Sequence, residues 1–410
     1  MTYELLIKGG RVIDPAQGID GPRDIGIQQG KISAVEQDIP AAGATEVIDA
    51  QGLIVTPGLI DIHTHVAQAI IPLAVAPDEA GVLSGVTAVC DAGSTGYANF
   101  EGLRRFVIPH TQTDVFCFLH LCPVGEAVLP EIGWQNIDPA KMGETIEANR
   151  DVIKGVKLRA TVDLIELIEN LGIDAVETAK QVASAAGLPV VIHLGIDAGE
   201  TITDDALDAF TRQMLSLLDA GDVLTHAFTK KRGGVIKPDG RVMPGLREAV
   251  ERGVVLDVAS AIGHLDFEVA RKGIEQELLP TTLSTDFTIF MLNGPVPFSL
   301  PVLMSQFLAL GQSLPQVIEM ATVNPARVLG EKGRRGSLAV GLTADISLFE
   351  LVKGEYLFVD SKDGNILSGE HLLVPKWTLK RGAKIAAGHH ATSYAQWSDE
   401  ARQLIAGRKE

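Results

Sequence analysis

Residues 53–65 read LIVTPGLIDIHTH. An apolar, β-rich run ends at His63-Thr64-His65. On an extended strand end, residues i and i+2 point the same way, so both imidazoles can reach one ion. Taken alone, the pair is equally compatible with two histidines capping a strand, and what surrounds it decides the reading.

Downstream, the same kind of run recurs: GVTAVCDAG, DVFCFLHL, VIKGVKL, LPVVIHL, GDVLTH, GVVLDVAS and TTLSTDF. With the first, that makes eight candidate strands. Helical patterns lie between them, such as DAVETAKQVASAAG, with Gly187 placed as a C-cap, and DALDAFTRQMLSLLDAG, ending at Gly221. Continuous Val/Ile/Leu runs suit strands buried on both faces. Eight β/α units over residues 56–340 predict a TIM (β/α)8 barrel. A doubly wound sheet is the alternative, but no GxGxxG follows an early strand.

The flanks have another texture. YELLIKGG, DIGIQQGKISAVEQ and ATEVIDAQGLIV near the start are matched by GSLAVGLTADISLFEL, GEYLFVD and HLLVPKWTLKRGAKI near the end. Short strands with turn signals predict one small β-sandwich assembled from residues 1–55 and 341–390. Residues 391–410 read as a helical tail that packs either on the barrel or on a neighbouring subunit.

Composition sets limits on function. The 410 residues are 46% apolar and 21% charged, which excludes a disordered chain. A net charge of 35 − 52 = −17 argues against binding nucleic acid or an anionic membrane. No apolar stretch reaches membrane-spanning length, and the opening MTYELLIKGGRVIDP reads as strand and turn, not as a leader. Three cysteines (Cys90, Cys117, Cys122) form neither a disulfide framework nor a common zinc module. The expectation is a soluble, cytoplasmic protein acting on a small molecule.

Barrel sites form at the C-terminal strand ends. His193 ends the fifth candidate strand, His226 the sixth, and Asp286 lies near the end of the eighth. Each histidine singly reads as a packed core residue; at matching positions of a repeated unit, together with His63 and His65, they read as a metal cluster. His120, ending the third strand, is either an extra contact or a packed histidine. Two divalent ions need a bridging anion, and the fourth strand offers Lys154 and Lys157. A lysine amine that has combined with carbon dioxide becomes a bidentate carbamate, provided burial keeps the amine neutral. The two lysines face opposite sides of the strand, and Lys157 is nearer its C-terminal end.

In this order, His63/His65, Lys157, His193, His226 and Asp286 resemble the amidohydrolase superfamily in its binuclear, carboxylated-lysine form. LLIKGGRVIDP, VIDAQGLIVTPGLIDIHTHV and NPARVLG...GSLAVGLTADISLFEL are similar to its motifs. GVKLRAT, VVIHLG, DVLTHAF and LSTDF are most similar to the amidohydrolase/deacetylase subgroup, loosely labelled dihydroorotase. The resemblance implies that His63, His65 and Asp286 hold a more buried ion and that His193 and His226 hold a more exposed one. Carboxylated Lys157 would bridge them. It implies zinc, with manganese or iron as alternatives, and a homo-oligomer.

The implied chemistry is attack by a metal-bridging hydroxide on an acyl carbonyl, with Asp286 as base and then acid. Arg159 points to the same side as Lys157, where it binds a substrate carboxylate or forms a salt bridge at the rim. Tyr97 contacts the tetrahedral intermediate or packs on its own turn. His264 is placed for substrate, although the subgroup has His-Gly here and this chain has Gly263-His264. Lys230 and Lys231 face an acidic ligand or water. The expected function is hydrolysis of an amide or ester of a small acylated substrate, deacetylase-like. The alternative is a cyclic amide hydrolase of the dihydroorotase or hydantoinase kind. A purine-type deaminase would carry a glutamate beside the third histidine, where this chain has Leu194-Gly195. A scaffold without activity would have lost ligands, and none is lost.

Overall fold

In the computed structural model, residues 3–128, 136–160, 171–196, 202–360 and 364–407 are described. The run quoted above is divided between two sheets. Strands β1 (Tyr3–Asp14), β2 (Ile19–Gln28), β3 (Lys31–Glu36), β4 (Ala44–Asp49) and β5 (Leu53–Pro57) belong to the first sheet. The barrel sheet takes β6 (Leu59–Thr64), β7 (Val86–Asp91), β8 (Asp114–His120), β9 (Ile153–Arg159), β10 (Val190–His193), β11 (Val223–Thr225) and β12 (Val255–Leu256). β13 (Ile346–Val359), β14 (Ile366–Lys380) and β15 (Ala383–Ala386) then return to the first sheet.

Gly58 is the hinge of that division. Its N–H donates to Asp345 O at 2.9 Å, tying the turn to the C-terminal flank. A side chain here would collide with Thr87, whose Cγ2 would lie 2.6 Å from the added Cβ. Thr87 Oγ1 already donates to Leu59 O at 3.2 Å.

The first sheet runs β15-β14-β13-β5-β1-β2-β3, with β4 also on β1. β5 joins the two ends of the chain, lying parallel to β1 and antiparallel to β13. All eight strands are thus hydrogen-bonded into one sheet, where the sequence reading expects a sandwich. Ile7, Ile25, Ile32, Val55, Ile346 and Leu379 form its core. The outer part of the β13–β14 hairpin packs on the barrel: Leu373 N donates to Ser305 Oγ at 2.9 Å. The C-terminal helix His389–Gly407 covers this hairpin, with Tyr394 stacked on Phe358 at 5.6 Å and its hydroxyl donating to Leu357 O. The tail therefore packs on its own chain.

The second sheet is wholly parallel, in the order β6 to β12. The eighth candidate strand makes only single bridges, Asp257–Thr282 on one side and Thr64–Phe287 on the other. Backbone bonds nonetheless close the ring. Ser260 N donates to Ser284 O (3.0 Å), and Asp286 N and His65 N exchange bonds with His63 O and Phe287 O (2.7 and 2.9 Å). The helix Leu171–Ala186 ends at Gly187 (φ 64°), as the sequence predicts. The helix Asp204–Leu217 stops four residues before Gly221, because Asp219 and Asp222 are both drawn to Lys180. Gly221 (φ 91°) instead serves the turn into β11. No helix among the described residues is long and apolar enough to cross a membrane.

Gly58→Ala is expected to lower stability by about 1–3 kcal/mol through overpacking against Thr87. Gly143→Ala, in a helix with open space around it, should be neutral or stabilising by up to ~1 kcal/mol. Urea unfolding of both variants checks the contrast.

Candidate active site

Side chains from β6, β9, β10, β11 and the 281–287 segment meet at the C-terminal mouth of the barrel. The parallel register places the ends of neighbouring strands side by side, as in the pairing of His193 with Arg159. His63, His65 and Asp286 form one group of potential ligands, and His193, His226 and His264 another. In each group the ligand atoms lie within 4.8 Å of one another. His65 Nε2 is 3.0 Å and His63 Nε2 3.6 Å from Asp286 Oδ1, while His226 Nε2 is 3.9 Å from Asp286 Oδ2. The His226 ring centre lies 4.1 Å from that of His193 and 3.9 Å from that of His264.

Lys157 is completely buried, with Nζ 3.1 Å from His63 Nε2. Gly93 (φ 97°) makes room for it, since a Cβ there would lie 2.6 Å from Lys157 Cγ. Lys154 points elsewhere and donates to Glu331 Oε1 at 2.9 Å. Of the two lysines, the structure brings only Lys157 to the histidines.

The outer partners set the imidazole tautomers. Thr225 Oγ1 donates to Asp257 Oδ2 and so accepts from His63 Nδ1 (both 2.8 Å), leaving the lone pair on Nε2. His226 Nδ1 donates to Ala259 O at 2.7 Å, and its buried Nε2 has no hydrogen-bond partner. His65 Nδ1 lies 3.0 Å from Ser94 Oγ. Ser94 is held in turn by Asp91, which accepts from Ser94 N, Val66 N and Ala67 N. An inward-facing lone pair without a partner is what a metal ligand requires, so the residues fit divalent ions. Two of these groups occupy strained backbone, His226 at φ 60° and Asp286 at φ 55°, which is common where function fixes geometry.

Burial drives most of the electrostatics. It pulls His193 and His226 well below the ordinary imidazole range, helped by neighbouring histidines, and lowers His63, helped by Lys157. Their charged forms are disfavoured. Burial also lowers the Lys157 amine. It works against the remaining shifts. Burial would lower His65, but Glu126 and Asp286 outweigh it and push the ring up to about 9. Burial would raise Asp286, but His63, His65 and His226 hold it well below the usual carboxylate range.

A cavity of about 410 Å³ opens on this cluster, with Arg159, Glu126, His264 and Phe290 in its walls. Arg159 and His264 both line this cavity. Tyr97 is not brought to the cluster, because its hydroxyl donates to Asn136 O at 2.9 Å. His120 is a buried histidine whose Nδ1 accepts from Cys122 N; burial takes its ring down to about 3. Lys230 pairs with Asp266, and Lys231 Nζ lies 3.2 Å from His264 Nε2.

Sequence reasoning missed Asp257, Thr225, Ser94 and Glu126. Asp257 was findable as a carboxylate ending the apolar run GVVLD. Glu126 lies on a loop after β8 with no periodic signal, yet it is buried 4.0 Å from His65 Nδ1.

Comparison with known proteins agrees with this geometry. Residues 54–369 match the amidohydrolase family. A deacetylase of Brucella anthropi is 30% identical over 382 residues, covering 92% of this chain and 89% of its own. Among solved structures, a dihydroorotase superposes with a TM-score of 0.80 at 29% identity, over 94% of this chain and 99% of its own. An adenine deaminase does so with 0.82 at 27% identity, over 94% and 100%. This chain belongs to the amidohydrolase family and is a hydrolase acting on carbon–nitrogen bonds.

Proposed function

We propose that this chain is a binuclear metal-dependent hydrolase that removes an acyl group from a small acylated substrate, as the name of its deacetylase relative suggests. The observation that carries the proposal is the fully buried Lys157 amine in contact with His63, beside two groups of three potential ligands. His63, His65 and Asp286 would hold one ion, His193 and His226 the other, and carboxylated Lys157 would bridge them. Zinc suits an imidazole-rich set. Paired ions supply Lewis-acid activation of water and of the scissile carbonyl.

The protein's own groups supply the rest. A neutral Lys157 amine can add its lone pair to the carbon of carbon dioxide; a C–N bond forms, one proton leaves, and a bidentate anion results. Asp286 is ionised in this site, so its carboxylate can take a proton from the attacking water and deliver it to the leaving nitrogen or oxygen. Arg159, in the cavity wall, presents a planar fork suited to a substrate carboxylate. His264 faces the substrate from the opposite group. Tyr97 has no part, its hydroxyl being engaged by Asn136. Three buried cysteines, none in a disulfide, support a reducing, cytoplasmic setting.

The likeness to a dihydroorotase at 29% identity supports a second reading, hydrolysis of a cyclic amide. Purified protein should be assayed against N-acetyl amino acids, O-acetyl hydroxy acids, dihydroorotate, hydantoin and adenine. Turnover of the acetylated acids at the highest kcat/KM is expected. Faster opening of either ring favours the second reading, and turnover of adenine alone overturns both.

Metal analysis should find about two ions per chain. Lys157→Ala should abolish activity and release tightly held metal, with partial rescue by short-chain carboxylates. Lys154→Ala should retain both properties. Thr225→Val removes the hydroxyl that orients His63, and divalent-ion affinity should fall about 10–100-fold in a chelator competition. The same assay should show affinity rising with pH between 6 and about 9. The free protein holds a proton on His65 up to about 9, and an ion must displace it.

A further inference from the structure

Beside the catalytic cavity lies a larger one, of about 710 Å³, and the two share Ala261, Phe290 and Met291 as walls. Its lining is mostly apolar and comes from the loop that leaves Asp286 (Ile289, Val296 and Phe298) and from Trp397 of the C-terminal helix. The stretch 288–300, TIFMLNGPVPFSL, is unusually apolar for a loop at the mouth of a barrel. Phe290 remains 65% exposed there, although large apolar side chains are ordinarily covered. The one carboxylate in the lining, Asp360, is occupied within the protein, accepting from Phe267 N, Asn365 N and Asn365 Nδ2. No cation-binding handle is on offer, whereas the adjoining cavity holds Arg159 and the histidines.

We propose that this annex binds an apolar substituent of the substrate, several carbons long, while the polar end and the scissile bond occupy the catalytic cavity. The inference rests on the hydrolase reading above and adds a substrate class to it: acylated small acids with an alkyl or aryl arm. Adjacency carries it: the two cavities have Ala261, Phe290 and Met291 in common, so a group reaching past these side chains from the catalytic cavity meets the annex next. The volume exceeds what an acetyl group or a pyrimidine ring needs and lies within the range of ligand pockets.

The test uses the full-length, metal-loaded protein and straight-chain carboxylic acids from butyrate to decanoate. Binding is followed by Trp397 fluorescence and by calorimetry. Each buried methylene is expected to tighten binding about fourfold, and the fluorescence change should vanish in Trp397→Phe. Val296→Phe, which narrows only the annex, should abolish the gain for octanoate and decanoate and leave butyrate unchanged. Asn293→Phe, at an exposed position of the same lining, serves the same purpose if the first variant folds poorly. Equal affinity along the series overturns the proposal. So does a change of subunit number in these variants without a change in binding, which would make the face a contact between copies. Hydrolysis of acetylated acids by a protein with a flat binding series removes the annex and leaves the hydrolase reading intact. A rising series without turnover of any acylated acid does the reverse.

Discussion

One backbone bond organises the site. Asp286 N donates to His63 O at 2.7 Å, linking the first and last segments of the parallel ring. The bond closes the barrel and, in the same stroke, sets the Asp286 carboxylate against His63 and His65. Asp286 adopts φ 55° to make it, a conformation that costs of order 1–3 kcal/mol in a residue with a Cβ. The cost is sustained by what packs around it. Thr285 donates to Asp61 through both its hydroxyl and its backbone N–H, and His65 N bonds Phe287 O. Ring closure and convergence of the ligands are one structural event.

Dehydration then shapes the chemistry. Lys157, His63, His193 and His226 lose almost all contact with water, and burial disfavours their charged forms. Burial lowers the Lys157 amine and these rings alike, and it brings the amine within 3.1 Å of His63 Nε2 in one water-excluded space. Hydroxyls and carbonyls behind the rings hold the protons outward, through Thr225 and Asp257 for His63 and Ala259 for His226. A cluster of this kind, if it takes up cations as proposed, would gain stability from them. His65 is the exception. Glu126 and Asp286 favour its charged form, so it holds a proton that the proposed metal would have to displace.

A different part of the chain shapes the space beside this site. The loop beyond Asp286 and the C-terminal helix wall off apolar space next to the polar cavity. The C-terminal helix reaches this position because Tyr394 is stacked on Phe358 of the long hairpin. The hairpin belongs to the sheet built from both chain ends. The terminal segments thereby contribute to the mouth of a barrel whose strands they never join.

By itself the sequence determined the features that depend on local pattern. Repeated apolar runs alternating with helical periods specify parallel β/α units, since buried strands and amphipathic helices each leave their own period in the chain. Polar residues at the ends of those runs, His63, His65, Lys157, His193, His226 and Asp286, marked one end of a barrel, because a parallel register brings like ends together. Tertiary structure alone decided what has no local period. It split residues 53–64 at Gly58, since only the neighbouring Thr87 and Asp345 show which sheet each half must join. It joined the flanking strands into a single sheet through β5, ended a helix before Gly221 because Lys180 draws Asp219 and Asp222 together, and turned Tyr97 toward Asn136. It also brought Glu126, Thr225 and Asp257 behind the histidines. These contacts link residues far apart along the chain, and their partners come within reach only in the folded structure.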